Sequence, residues 1–350
     1  FEYTIIDANG DSKTATTTIV VETNTTVETC SETSPTLPAL GFNVFTLNNL
    51  DLKTNETEGS VATGGNLTIN GNYQIATNEV GTFKVENTPI GLLVGGKILY
   101  KSGSSLQVNQ NSYVKIGNNE GSTVWYKDQN DAYSNIRITP SSNYNSSPRI
   151  LLQTNANALD VSSSKNPVFE NNLIDFASAF QTLELNSKSI SENDHNAQLT
   201  NPNGQAISNT DLPNQVKINL QEGVNYLNVK GSDLNKVDVF TYNNKPSATK
   251  IVIINVNASG VFNWKVWNQA GVSQQEAAYI IYNFYNTTTL NIEGNSTIEG
   301  TVFAPFADIK KTVNQSNIEG QVIGKSFTHS GGEIHSANFN TSIKTCTTTT

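Results

Sequence analysis

The sequence predicts an all-β protein, a solenoid of stacked coils accompanied by one amphipathic helix, and three observations carry that expectation. Glu-Gly-x-Val is written three times, in "EGSVATGG" from 58, "EGTVFAPF" from 299 and "EGQVIGKS" from 319. The last two copies are 20 residues apart (319 minus 299). A solenoid coil takes about twenty residues and covers the apolar edge of the coil before it, so such a period means stacking. Short apolar runs broken by glycine recur along most of the chain, and charged residues make up only 15% of it. Solubility therefore comes from Asn, Ser, Thr and Gly, and the Thr-rich stretches favour strands over helices. One stretch departs from this pattern, stepping by three and four residues over 170–193.

Taken in order, residues 1–22, "FEYTIIDANGDSKTATTTIVVE", alternate apolar and polar positions on both sides of an Asn-Gly pair. That is a strong hairpin signal, because both central turn residues need positive φ. The stretch resembles the closing strands of immunoglobulin-like repeats of large bacterial surface proteins. Residues 23–38 form a Thr/Ser/Pro-rich linker. From 39 to 345 a single β module follows, beginning with "FNVFTL", "GLLVGGKILY" and "SSLQVNQNSYVKIG". In 170–193, Leu173, Phe176, Phe180, Leu183 and Ile190 mark a helix with one buried stripe. The β pattern returns in "VKINL", "NYLNVK" and "VDVFTY", and then in "KIVIINV" (250–256), apolar enough for a strand buried on both faces. Residues 346–350 open a further linker. At the repeated corners Gly59, Gly300 and Gly320 supply a backbone geometry forbidden to side chains, Val61, Val302 and Val322 point into the core, and the adjoining glutamates read as solvated.

Charge and composition exclude whole classes of partner. A net charge of −9 with only two arginines, Arg137 and Arg149, argues against nucleic acid, which needs clustered cations. No apolar run reaches the roughly 20 residues of a membrane helix, so membrane insertion is not expected. The start carries neither Met nor a signal pattern, so the chain is expected to belong to a longer, multi-repeat one.

An ordered set of segments carries a family resemblance. "ALGFNVFTLNNLDLKTNETEGSVATGGNLTI" (39–69), "LLVGGKI", "IDFASAFQTL", "IIYNFYNTTTLNI", "IEGTVFAPFADI", "IEGQVIGKSF" and "GGEIH" follow one another over roughly 39–340. Together they resemble the choice-of-anchor A domain, an adhesive or collagen-binding-like module of bacterial surface proteins. The resemblance implies a right-handed β-helix with a long helix packed alongside, displayed on a bacterial exterior. The chain departs from that pattern in a longer stretch at 98–166, read as an insert carrying local specificity.

Candidate chemistry is sparse. Cys30 and Cys346 bracket the module, and an even pair in an exported chain suggests a disulfide; a metal site would lack ligands, and a reactive thiol would lack a nearby His or Lys. His329, Glu333 and His335 lie close in sequence, but six-residue histidine spacing is not the i, i+4 pair of zinc hydrolases. No nucleophile elbow or phosphate loop is present, and acids are scattered singly, so neither a catalytic residue, a metal nor a cofactor is expected. Tyr113, Trp125, Tyr126 and Tyr133 sit among amides within the insert and are the candidate ligand contacts. Trp264 and Trp267 are three residues apart, which on one strand places them on opposite faces, so at most one is expected in the core. Nine Asn-x-Ser/Thr sequons, including Asn55, Asn66, Asn257 and Asn286, follow from an Asn/Thr-rich composition. The expected function is non-catalytic adhesion to an extracellular glycan, matrix protein or surface, the alternatives being an ice-binding β-helix and a polysaccharide-degrading enzyme.

Overall fold

Val61, Val302 and Val322, the equivalent valines of the repeats, lie in one parallel ladder with Val44, which the repeats do not include. The computed structural model describes residues 2–16, 27–312 and 315–349. It is mainly β, and Phe176–Ser191 is the only helix longer than one turn among the described residues. The valine row continues on one side through Leu92 to Val114, and on the other through Tyr282 and Ile254 to Leu227. Every member is fully buried. In-register parallel pairing sets each apolar side chain over the next, so the core runs as a continuous rank along the ladder.

Chain order and spatial order differ. The strand Val44–Thr46 pairs on one side with Val61–Thr63 and on the other with Val322–His329, near the far end of the chain. The chain thus starts in the middle of the ladder and builds one arm outward to Tyr113–Ile116. It then passes through the long helix to the opposite end, and returns through Gly223–Lys230, Lys250–Asn257 and Thr301–Lys311 to its own beginning. Much of the stretch read as an insert supplies ladder strands, Ile98–Ser102, Ser105–Val108 and Tyr113–Ile116.

The helix covers the seam, and the sheet beneath it changes chemistry along its length. Under the helix's first turns lie rings: Phe45 stacks on Phe176 at 5.1 Å and on Phe180 at 5.6 Å. The row holding Phe45 continues through Ile323 and Phe303 and then becomes Asn283, Asn255 and Asn228. These amides tie the last turns of the helix, and the segment just beyond it, to the sheet. Asn283 Nδ2 donates to the Ser187 carbonyl at 2.8 Å, Asn255 Nδ2 to that of Ile190 at 3.1 Å, and Asn228 Nδ2 to that of Asn193 at 2.7 Å. The amides also bond to one another, Asn283 to Asn255 and Asn255 to Asn228, both at 2.9 Å.

The corner glycines are not equivalent, contrary to the sequence reading. Gly300 has φ +139° and Gly320 has φ +156°, and a Cβ on Gly320 would lie 2.5 Å from the Gly300 carbonyl oxygen. Gly59 lies outside the left-handed region; a Cβ there would meet the Asn43 Cβ at 2.6 Å, so crowding and not φ excludes side chains. At the N-terminal end Glu2–Ile6 pairs antiparallel with Ser12–Thr16 as expected of a hairpin, with every side chain exposed; residues 17–22 of that reading, and 23–26 of the linker, lie outside the described residues. A second antiparallel ladder joins Val27–Thr33 to Ile343–Thr349 and sets Cys30 opposite Cys346.

Replacing Asn283 by Ala is expected to cost about 1–3 kcal/mol, because the buried Ser187 hydroxyl loses its acceptor and the Ser187 carbonyl its side-chain donor. Asn291 makes a similar 2.7 Å amide contact to Asn263 in an exposed position, and Asn291→Ala is expected to stay within about 0.5 kcal/mol. Urea denaturation of the two variants measures the difference, and equal costs would remove the helix-end role of the amide ladder.

Candidate functional site

The helix covers one side of the body, and two sheet faces remain open. On the nine-stranded sheet, inward positions are filled by Tyr73, Ile75, Leu106, Val108, Ile136, Ile138, Ile150 and Leu152, all fully buried. Side chains alternate along a strand, so the residues between them face out. Their pairing joins Trp125, Arg137, Leu151, Gln107, Gln74 and Glu56 into one outward row across neighbouring strands. At about 4.8 Å per strand the row is roughly 24 Å long. Beside it lies a depression of about 350 Å³ lined by Asn55, Glu56, Asn72, Tyr73, Gln74, Ser104, Ser105 and Gln107. A second, of about 190 Å³, shares Gln107 and adds Asn109, Asn135, Leu151, Leu152 and Gln153.

Both arginines of the chain stand at one end of this face. Arg149 pairs with Ser105 in the wall of the larger depression, and Arg137 pairs with Leu151, two residues along the same strand from Arg149. Tyr144 stacks on the Arg137 guanidinium at 3.8 Å and meets the Trp125 ring edge-on at 5.4 Å. Arg137 Nη1 donates to the Tyr144 carbonyl at 2.8 Å, and Arg149 Nη1 to that of Asn145 at 3.3 Å. Among the described residues every ion pair uses a lysine or His335, so neither guanidinium faces a carboxylate. Burial and the neighbouring Arg149 charge both lower the Arg137 pKa, against the opposing effect of Tyr144.

The other open face is more broken. Its row runs through Asn263, Asn291, Lys310, Thr328, Asp51 and Thr68, with Asp308 beside Lys310 bonded to Ser326 at 2.6 Å. Charges of both signs interrupt the threonines, and regular threonine ranks do not form.

The predicted aromatic cluster divides. Tyr113 is fully buried, because its pairing with Ile90 fixes it in the inward phase, so it cannot contact a ligand. Tyr126 is partly buried, and its hydroxyl accepts the Val168 N–H at 2.9 Å. Tyr133 is 64% exposed beneath Lys127, off the row. Trp125 alone of the four lies on the outward row, with Nε1 donating to Thr139 at 2.9 Å. Trp264 and Trp267 are both in the core with rings 5.6 Å apart, contrary to expectation: the strand ends at Lys265, so alternation no longer governs Trp267. Gln74, Gln107 and the two arginines were missed as a group. A readable signal existed in "YQI", "LQV" and "IRI", each a polar residue between two inward ones.

The repeated corners are also less solvated than expected. Register places Glu299 beside Glu319 and Glu319 beside His335. His335 bonds to Glu319 at 2.7 Å and to Glu333 at 2.9 Å. The Glu319 bond chiefly raises His335 to about 9, while burial and then Glu319 push Glu299 up to about 7. Glu58 accepts the Ser336 N–H at 2.8 Å. His329 is separate and buried, its Nδ1 2.7 Å from the Tyr73 hydroxyl, with burial pushing it down to about 3. No group of His, Cys, Asp and Glu among the described residues is arranged to hold a metal.

The family described as "Putative Ice-binding-like adhesive domain" matches residues 35–336, and the chain belongs to that family. The matching family shares the adhesive character expected from the sequence, under a different label from choice-of-anchor A. Nothing matches among the curated proteins. Two chains of solved structure match. One, the Shewanella frigidimarina ice-binding protein_1 DUF3494 domain, is 11% identical, with 88% of this chain and 97% of that chain covered at a TM-score of 0.30, too weak a likeness to carry an argument.

The His335 cluster sets a pH dependence with a definite sign. A histidine raised from 6.5 to about 9 contributes stability that is full below 6.5 and lost as pH rises through 9. Glu299, raised from 4.5 to about 7, acts in the same direction over its own window, since the fold favours its neutral form. His329 acts oppositely, losing stability as pH falls from 6.5 toward 3. The stability advantage of the parent over His335→Gln is therefore expected to shrink between pH 6.5 and 9. Urea midpoints at stepped pH check this, and a constant difference would show that His335 is not held protonated.

Proposed function

We propose that this ice-binding-like adhesive domain is a non-catalytic adhesion module of a secreted bacterial surface protein, holding an extracellular glycan, matrix protein or surface on the nine-stranded face. The observation that carries the reading is the outward row from Trp125 to Glu56, continuous across its strands and backed everywhere by buried residues. Recognition residues on a rigid scaffold are held without ordering cost at the moment of contact. The parallel ladders with stacked apolar ranks support reading the body as a right-handed β-helix. The exposed hairpin at Glu2–Ile6 and Ser12–Thr16 suits the end of an immunoglobulin-like repeat in a longer chain.

Competing chemistries are less well supported. A polysaccharide lyase needs a base and a cation beside the uronate, whereas His335 is engaged by two glutamates and His329 is enclosed. Ice-binding has the family's description in its favour, yet Asp51, Asp308 and Lys310 interrupt one open face and Glu56 and Arg137 the other.

The Cys30 and Cys346 positions face each other in the terminal ladder, and no cysteine among the described residues is free. A disulfide there would close a loop of most of the chain, restricting the unfolded state by on the order of 5 kcal/mol in the chain-entropy model. Val27 and Thr349 form the outer end of the same ladder, so tension on flanking chain would meet the clasp before the body.

Purified module is expected to be retained on immobilised glycan or matrix surfaces, to release no reducing ends or unsaturated uronates, and to show no thermal hysteresis. Product release or hysteresis would overturn the adhesion reading. Non-reducing peptide mapping is expected to recover Cys30 and Cys346 as one linked pair, and two free thiols in fresh protein would refute the clasp.

A further inference from the structure

We infer that the face carrying Trp125, Arg137 and Arg149 takes an acidic polysaccharide of low charge density, its uronate carboxylate at the two guanidiniums and its uncharged sugars over Ser105, Gln107 and Gln74. This rests on the adhesion reading of the same face and names its ligand class. The first argument is charge. A chain of net −9 places its only two arginines on one strand pair, on the same face and without a carboxylate partner among the described residues. Two cations so arranged repel each other, and their mutual cost is relieved by an anion between them. The guanidinium fork matches a planar carboxylate through two parallel hydrogen bonds, and Tyr144, stacked on Arg137 at 3.8 Å, fixes that fork in place.

The second argument is the rest of the row. Beyond the arginines the face offers amides and hydroxyls, which donate to and accept from sugar hydroxyls without demanding charge. Trp125, steadied by Tyr144 and Thr139, adds a partly buried ring whose open part can stack on a pyranose face. The roughly 24 Å row suits a short run of sugars laid across the strands. The third argument sets charge density. Glu56 closes the far end of the row and the whole chain is acidic, so a polymer sulfated on every sugar would meet repulsion there; a uronate alternating with a neutral sugar would not.

Binding is tested with an oligosaccharide of alternating glucuronate and N-acetylglucosamine, its carboxyl-reduced form, a sulfated form, and an immobilised collagen surface. The uronate form is expected to bind at least tenfold more tightly than the reduced form. Arg137→Gln/Arg149→Gln should abolish that preference, as loss of charge-assisted hydrogen bonds implies. Arg137→Lys, which keeps the charge and loses the fork, should weaken the uronate form severalfold, with urea midpoints of both variants near the parent's showing that the fold survives. Equal binding of uronate and reduced forms, or tighter binding of the sulfated form, overturns the ligand class while leaving adhesion intact. Retention on collagen with no glycan binding does the same. Retention on no surface at all defeats the adhesion reading itself.

Discussion

The structure depends on the strand Val322–His329 finding Val44–Thr46 and Leu50–Leu52, strands some 270 residues earlier in the chain (322 minus 52). Until that pairing forms, each arm of the ladder ends in an open edge with unpaired backbone groups and half-covered apolar ranks. A stack of repeats built in chain order could gain stability one unit at a time. Here the last unit joins two arms that were built from opposite ends, and its loop-closure entropy is recovered only when both exist. The helix over the seam and the terminal ladder both act where the arms meet. Phe176 and Phe180 stack on Phe45 beside the junction, and the Ser34 and Thr36 hydroxyls reach the Phe339 carbonyl.

That arrangement separates the residues that hold the fold from the row proposed to bind. The outward row from Glu56 to Trp125 lies wholly on the arm built first, and its strands are fixed from behind by Tyr73, Ile75, Leu106 and Val108. The His335 and Glu319 cluster continues the same sheet on the arm built last, where the side chains engage one another instead of a partner. One sheet thus carries a self-satisfied ionic region at one end and an open, amide-rich region at the other. The two arginines, without a carboxylate partner among the described residues, are the sharpest difference between them.

Local features of this fold were legible in the sequence, and features set by closure were not. The inward valines of the repeats, the N-terminal hairpin and the helix stripe of Phe176, Phe180, Leu183 and Ile190 follow from local patterning, although the helix begins at Phe176 and leaves Leu173, read as part of the stripe, outside it and partly buried. The position of Val44 in the middle of the ladder leaves no local mark, because the segments flanking it in space are distant in the chain. Alternation also fails where a strand stops: Trp267 lies just past Lys265 and turns back into the core beside Trp264. Tyr113 shows the same limit, since an aromatic in an alternating run belongs to either face until its partner is known. The glutamates of the repeated corners looked solvated one at a time; stacking brought Glu299, Glu319 and His335 together, where burial and then Glu319 raise Glu299 and the Glu319 bond raises His335.

The central claim is that closure between the first and last strands makes both arms one cooperative unit. Native-state hydrogen exchange in increasing urea, read by mass spectrometry on peptides from 61–116 and from 250–311, tests it most directly. The account predicts that both sets of buried amides lose protection at one denaturant concentration with one opening free energy. Two separate midpoints, with one arm remaining protected after the other has opened, would contradict it.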